Sequence, residues 1–509
     1  MKNNDHIAPF FAQPVNLKVG LNHLGYRNAA EDLFTTLLPG LNNVTARIRY
    51  YSFYCWLIDK FFQNKPEPTV GEYNAFVRTA EYLLAILHAG LKDSGGIPGI
   101  DYAIDTMESD PDIVDLHSGT SPANGTSTRG TFWANPGGVL RQYYGNSLQD
   151  MGITVPSLKI SGISDISKQG DHITGKDLSE YFEESIGSNA SALFLNCIRK
   201  EKISREERDI LRPPFSMKNV PGSIGEREML IQMLLQEDYP GRSSRQLRRD
   251  TIRYYLEYCS DPLIKSYNDE LGFPRYLYKR YLKGERDSSC ITGWYCFYLD
   301  DAWQYYASVI LERVLDILRK DKFGKWVNLN DFTDEIASAV TTKFNADDTS
   351  LESVISNQQD ISGKDNIGRI SKAMSALFDY YIINNAIWPD SSFLKVELGY
   401  YGTDDFHSAS EYINKGKHMI FKDFVKQFIE SKIIFRHYNI SLRKYYQTGI
   451  ASHKFMIEDG HIRYLKDTFT QATHTSPRLV SLIAFLSDLD LVHDLTLTEK
   501  GKELLKKLS

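Results

Sequence analysis

Residues 44–62 read VTARIRYYSFYCWLIDKFF, in which Val44, Ile48, Tyr51, Cys55, Ile58 and Phe62 recur at intervals of 4, 3, 4, 3 and 4. That spacing lays one continuous apolar stripe along a helix. Asn43 or Thr45 stands where a cap is needed. Upstream, Arg27–Leu38 has the same character and meets Pro39-Gly40, which ends a helix because proline cannot continue one and glycine turns the chain. Downstream, 72–91 repeats the device with Phe76, Ala80, Leu84 and Leu87. Residues 1–92 are therefore expected to form a helical bundle.

The rest of the chain follows the same reading. Residues 93–176 are rich in Ser, Gly, Pro, Asp, Asn and Thr and are expected to form a loop-rich connector with short elements. Helical periodicity resumes at Gly225–Gln236, Arg245–Cys259 and Asp300–Leu318, in a central helical domain spanning 177–344. In the last of these Trp303, Tyr306, Ile310, Val314 and Ile317 share a face, and Asp300 or Asp301 is placed to cap. Residues 345–430 read as a second helical segment, with a helix at Ile370–Asn384 and a short strand at Phe393–Leu398. No fixed-period repeat signals a solenoid. The fold class expected is mainly α, a multi-helical body with a small α+β winged-helix-like module at 431–509.

Across 509 residues, 59 Lys and Arg face 65 Asp and Glu, for a formal net charge of −6. A polycation that coats nucleic acid is excluded, whereas a local basic face is not. The apolar runs fall short of the roughly 18 residues that a membrane span requires. The start, MKNNDHIAPFF, has no apolar segment of the signal-peptide kind. Five scattered cysteines without a Cys-x-x-Cys give neither a zinc ribbon nor a dithiol motif. A cytoplasmic protein without a membrane partner is expected.

The last eighty residues carry the clearest local signals. Lys454–Ile457 and His461–Leu465 flank Glu458-Asp459-Gly460, a hairpin signature. Pro477–Asp488 reads as a helix, and Thr498 can cap a final one. Leu497–Leu505, LTEKGKELL, resembles the last wing strand and helix of bacterial winged-helix proteins, a resemblance that implies DNA binding or protein pairing. Between 431 and 470 lie seven basic residues against three acids, with Tyr438, Tyr445 and Tyr446 interleaved. Arg436, Arg443, Lys444, Lys454, Arg463 and Lys466 are the phosphate contacts expected there. A second basic stretch, 241–283, places Arg245, Arg248, Arg249 and Arg253 on one helix flank, suited to phosphate or carboxylate. Salt bridges to acids such as Glu226 and Glu228 are its structural alternative. Arg47 and Arg49 oppose the helix dipole and call for an anion, for which Glu31 and Asp32 are at hand.

Catalytic motifs are weak. Gly170–Asp177 has P-loop spacing, GxxxxGK, but Asp177 stands where Mg²⁺ needs a hydroxyl. Asp390 with Glu397, on the expected strand, offers two carboxylates for a metal-dependent nuclease, though Lys395-Val-Glu397 reverses the usual order. The histidines, His453 and His461 at the hairpin included, form no zinc helix. No cofactor is expected.

The phrase from Leu37-Leu-Pro-Gly through Thr45-Ala-Arg-Ile-Arg-Tyr-Tyr-Ser-Phe-Tyr-Cys-Trp56 resembles the opening of a group of bacterial proteins encoded in antiviral-defence operons, some beside SMC-like ATPases. The resemblance implies a non-catalytic subunit that binds DNA or a partner ATPase or nuclease. The alternatives are the metal-dependent nuclease and a winged-helix transcriptional regulator.

Overall fold

The 44–62 stretch is helical in the computed structural model, but over Arg49–Asn64. The start is later than the apolar stripe suggests because Asn42 Oδ1 accepts the N–H groups of Val44 and Thr45, both at 2.9 Å. That turn holds Val44 outside the helix and exposed. The structure describes residues 22–509 except 66, 90, 92–94, 121–131, 219, 237–245, 262–268, 270, 323, 358–359, 466–470 and 477. The fold is mainly α, with only small antiparallel sheets among the described residues. No described helix is long and apolar enough to cross a membrane.

The chain divides into two compact units. One takes the described residues up to Leu33 together with Leu277–Thr475; the other takes Phe34–Tyr276 and Ser476–Ser509.

The first unit is built along the Ser289–Lys322 helix. Trp303, Ile310 and Val314 are buried on it as the periodicity predicts. Asp300 and Asp301 do not cap: the helix begins eleven residues before Asp300, and both carboxylates lie in the interior. Asn366–Asn384 packs along this helix, and Leu329–Lys343 packs on both Asn366–Asn384 and Phe421–Phe428. From Phe421 the chain stays helical through a π segment, Ile429–Ile434, into Phe435–Thr448. The hairpin follows, with Phe455–Glu458 paired to His461–Tyr464 and Val327–Asn328 as the third strand. Asp459 and Gly460 both have positive φ (45° and 72°), the two left-handed positions a tight hairpin turn requires. The predicted strand at Phe393–Leu398 is instead the Ser391–Leu398 helix, because Asp390 caps it by accepting the N–H groups of Ser392 and Phe393.

The second unit surrounds Arg49–Asn64, which is buried on nearly every side and packs against Gly175–Ile186. Phe53, Trp56, Phe182, Phe194 and Phe215 form its aromatic centre, with Phe194 and Phe215 stacked at 4.2 Å. Arg49 is fully buried in a pair with Glu226, with Nε at 3.0 Å and Nη2 at 3.0 Å from its carboxylate oxygens. Arg47 meets Asp488 at 2.7 Å. The anions for this arginine pair are thus Glu226 and Asp488, in place of Glu31 and Asp32. The tail contributes Leu479–Asp488, a ribbon of Val492–His493 with Thr496–Leu497, and Glu499–Leu508, which Thr498 caps through the Gly501 N–H as expected. The Thr496–Leu497 strand and the Glu499–Leu508 helix pack on Leu247–Ser260.

A second π segment, Leu140–Tyr144, is held at its start by Glu81. Glu81 Oε2 accepts Val139 N–H at 2.9 Å, and Oε1 accepts Leu140 N–H at 2.7 Å and the Tyr54 hydroxyl at 3.0 Å. Gly138 sits directly over this carboxylate, where a Cβ would overlap Oε2. Burial outweighs the three hydrogen bonds and the nearby Arg78 charge, and pushes the Glu81 carboxyl up to about 7. Tyr50, Tyr54 and Tyr73 are the other titratable groups it touches electrostatically. A carboxyl raised on folding contributes stability that is complete below its unfolded value and is lost as pH rises through the folded one. Between pH 4.5 and 7 the second unit is expected to lose about 3 kcal/mol from this group. Urea midpoints at the two pH values measure it, and Glu81→Gln flattens the difference.

Candidate functional site

The six cations expected at the tail fall in the first unit, except that Lys466 lies outside the described residues. Three of the remaining five are committed inside the fold. Arg436 donates to Asp404 Oδ2 at 2.7 Å and to the Leu24 carbonyl at 2.8 Å, and lies over the Tyr26 ring at 5.0 Å. Lys444 donates to the Asn22 carbonyl at 2.6 Å; burial first and the Arg443 charge second lower its pKa. Lys454 is only 4 % exposed, and burial lowers its pKa. Its backbone N–H donates to His437 Nε2 at 3.2 Å, so that nitrogen is unprotonated and Nδ1 donates to the His23 carbonyl at 3.1 Å. Burial drives His437 down to about 3, and burial with the Lys454 and Lys444 charges takes His23 to about 4. These groups join the hairpin to the Phe435–Thr448 helix. Arg463 lies over the Trp326 ring at 5.9 Å.

Arg443 is different. It is exposed and makes no ion pair with the described residues. On the same side of the helix stand Phe435 (40 % exposed), Asn439, Leu442 and Tyr446 (81 % exposed). Eleven residues separate Phe435 from Tyr446, which puts the two rings on one face about 16 Å apart along the axis. The helix contains no Asp or Glu. The π segment that precedes it supplies the extra residue that sets this face, a device found often at functional sites.

The arginine flank belongs to the second unit and does not form the expected surface. Arg245 lies outside the described residues. Arg248 is 1 % exposed, so phosphate has no access to it. Its guanidinium donates to the carbonyls of Leu234 (2.8 Å), Pro39 (2.8 Å) and Gln236 (3.0 Å), which closes the C-terminal end of Ile224–Leu235. Arg249 donates to Gln246 Oε1 at 3.2 Å. Arg253 pairs with Glu257 at 3.3 Å and covers the Tyr254 ring at 4.2 Å. Glu226, one of the two acids suggested as their partners, is taken by Arg49.

The catalytic motifs resolve into structure. In Gly170–Asp177, Thr174 and Asp177 form a reciprocal cap on the Gly175–Ile186 helix, and Lys176 pairs with Asp59 at 3.0 Å. Asp390 and Glu397 lie at opposite ends of one short helix, about 10 Å apart along its axis, too far to share a metal ion. Among the described residues no group of three or more His, Cys, Asp or Glu is placed to hold a metal.

One arrangement escaped the sequence reading. Asp301, fully buried, accepts His474 Nδ1 at 2.6 Å, Thr475 N–H at 2.6 Å and Gln304 Nε2 at 2.9 Å. Tyr305 stacks on the imidazole at 3.9 Å. The carboxylate fixes the ring and its tautomer as it would for a general base, but no described nucleophile lies within hydrogen-bonding reach of the ring. The 173 residues between the partners leave no local signal. The chain matches no protein-family model, no curated protein and no solved structure.

Proposed function

We propose that this protein is a cytoplasmic, non-catalytic binding subunit that holds single-stranded nucleic acid on the outer face of the Phe435–Thr448 helix. The observation that carries this reading is the alignment of Phe435, Asn439, Arg443 and Tyr446 on an exposed, acid-free face. Aromatic rings stack on bases of any sequence, each contributing about 1–3 kcal/mol, and an exposed guanidinium takes a phosphate. The withdrawal of Arg436, Lys444 and Lys454 into the fold favours stacking over a broad cationic footprint, and hence a single strand over a duplex. The Leu37–Trp56 phrase supports placing the subunit in an antiviral-defence assembly, beside an SMC-like ATPase or a nuclease that performs the chemistry.

Fluorescence anisotropy with labelled oligo-dT and a duplex of equal length tests this. Tyr446→Ala is expected to weaken oligo-dT binding about tenfold. Arg443→Ala is expected to weaken it severalfold, and neither change moves the melting temperature. Unchanged affinity in the double variant contradicts the proposal. Tighter binding of the duplex favours the transcriptional-regulator alternative.

A further inference from the structure

A cavity in the second unit carries an inference independent of the tail helix. It measures about 390 Å³ and lies beside the π segment Leu140–Tyr144, between the Val70–His88 helix and the small ribbon of Thr154–Pro156 with Ser164–Ile166. That is the size range of pockets that enclose small organic ligands. Ile58 and Leu148 give it apolar wall.

Its polar lining is what points to a ligand. Arg141, Asn74, Asn146, Gln149 and Ser164 contribute side chains that form no hydrogen bond with the described residues. Thr154 also lines the cavity; it is 2 % exposed, and its hydroxyl is buried without a partner. That hydroxyl is sealed from solvent, so Thr154 shapes the wall, and the polar groups open to a ligand are those of the other five residues. Among the described lining residues Arg141 carries the single charge, and no carboxylate opposes it. Of the two acids that act on the adjoining Tyr73, Glu81 is engaged by the Val139 and Leu140 amides and the Tyr54 hydroxyl, and Asp165 pairs with Lys168 at 3.5 Å.

The cavity is also built. Glu81 fixes the first turn of the π segment from the interior, and that segment places Arg141 at the mouth while Tyr144 points into the core. A π segment is a departure from the α-helix that is frequent at functional sites.

We propose that this cavity binds a small organic anion, no larger than a mononucleotide, whose phosphate or carboxylate group is held by Arg141 and whose polar body is recognised by Ser164, Asn74 and the neighbouring amides. A guanidinium with no competing acid selects for the anion, since its planar fork matches both oxyanions. The amides and hydroxyls then discriminate among anions by what they leave unpaired.

Isothermal titration calorimetry on the full chain tests this with three probes: adenosine monophosphate, citrate and neutral adenosine. Saturable binding of adenosine monophosphate or citrate is expected, and it separates the phosphate from the carboxylate source. Adenosine should bind at least tenfold more weakly than its monophosphate. Arg141→Ala, a change at an exposed side chain, should weaken the anion at least tenfold at unchanged melting temperature. Asn74→Ala should weaken binding severalfold at an unchanged melting temperature. Absence of binding by both anions, adenosine binding equal to its monophosphate, or full affinity in the Arg141→Ala and Asn74→Ala variants would overturn the proposal.

Discussion

Glu226→Ala is expected to cost about 3–5 kcal/mol, a large part of the roughly 5–15 kcal/mol that holds a domain folded. The loss comes from Arg49, whose guanidinium is fully buried and would be left with the carbonyls of Pro214 and Ser216 and the Ser185 hydroxyl but no counter-charge. An unpaired buried charge is far more costly than the pair it came from is stabilising. Ser52, whose hydroxyl lies 2.6 Å from Glu226, keeps the Arg49 carbonyl at 3.0 Å as its acceptor and adds little to the loss. The double change Arg49→Met with Glu226→Leu removes both charges and should lie within about 2 kcal/mol of the parent. Urea denaturation of the two variants distinguishes these outcomes. A mild effect of Glu226→Ala would mean that water or another acid reaches Arg49.

Arg248→Ala is the second large effect, expected at about 3–4 kcal/mol. Three well-formed bonds to main-chain carbonyls disappear, two of them at the end of Ile224–Leu235, and a cavity the size of a long side chain replaces them. Hydrogen bonds from a charged donor contribute more than neutral ones, and the carbonyls left behind are dry. Arg249→Ala, one residue away but partly exposed, should stay within about 0.5 kcal/mol. Thermal melts of the pair read the contrast directly, and neither substitution should alter oligo-dT affinity of the folded protein. A selective loss of nucleic-acid binding in Arg249→Ala with Arg253→Ala would restore the arginine flank as an interface.

The contrast between Arg248 and Arg443 marks how far a sequence can be read here. Periodicity finds helices, because burial of one stripe is written at spacings of three and four: the Leu247–Ser260 and Asn366–Asn384 helices lie close to where it predicts them, while Ser289–Lys322 contains the predicted 300–318 but starts eleven residues earlier. The hairpin turn and the Thr498 cap are legible because each is a local chemical device. Phe393–Leu398 misleads because its apolar residues alternate like a strand, while the deciding feature is the Asp390 cap just outside the run. Charge is less legible still. Seven cations near the tail look alike in sequence, yet Asp404 and the carbonyls of Asn22 and Leu24, distant along the chain, absorb two of them. The same holds for Asp301 and His474, and for the cavity at Arg141, whose lining is drawn from four separate segments.

The salt dependence of oligo-dT binding tests the central claim most directly, because it counts the phosphates that the tail neutralises. With Arg443 and Arg463 available, and at most Lys466 added, the plot of log affinity against log salt should fall with a slope no steeper than about −2. A slope near −4, the value for all six cations acting on a single strand, or no binding at any salt concentration, would contradict the account.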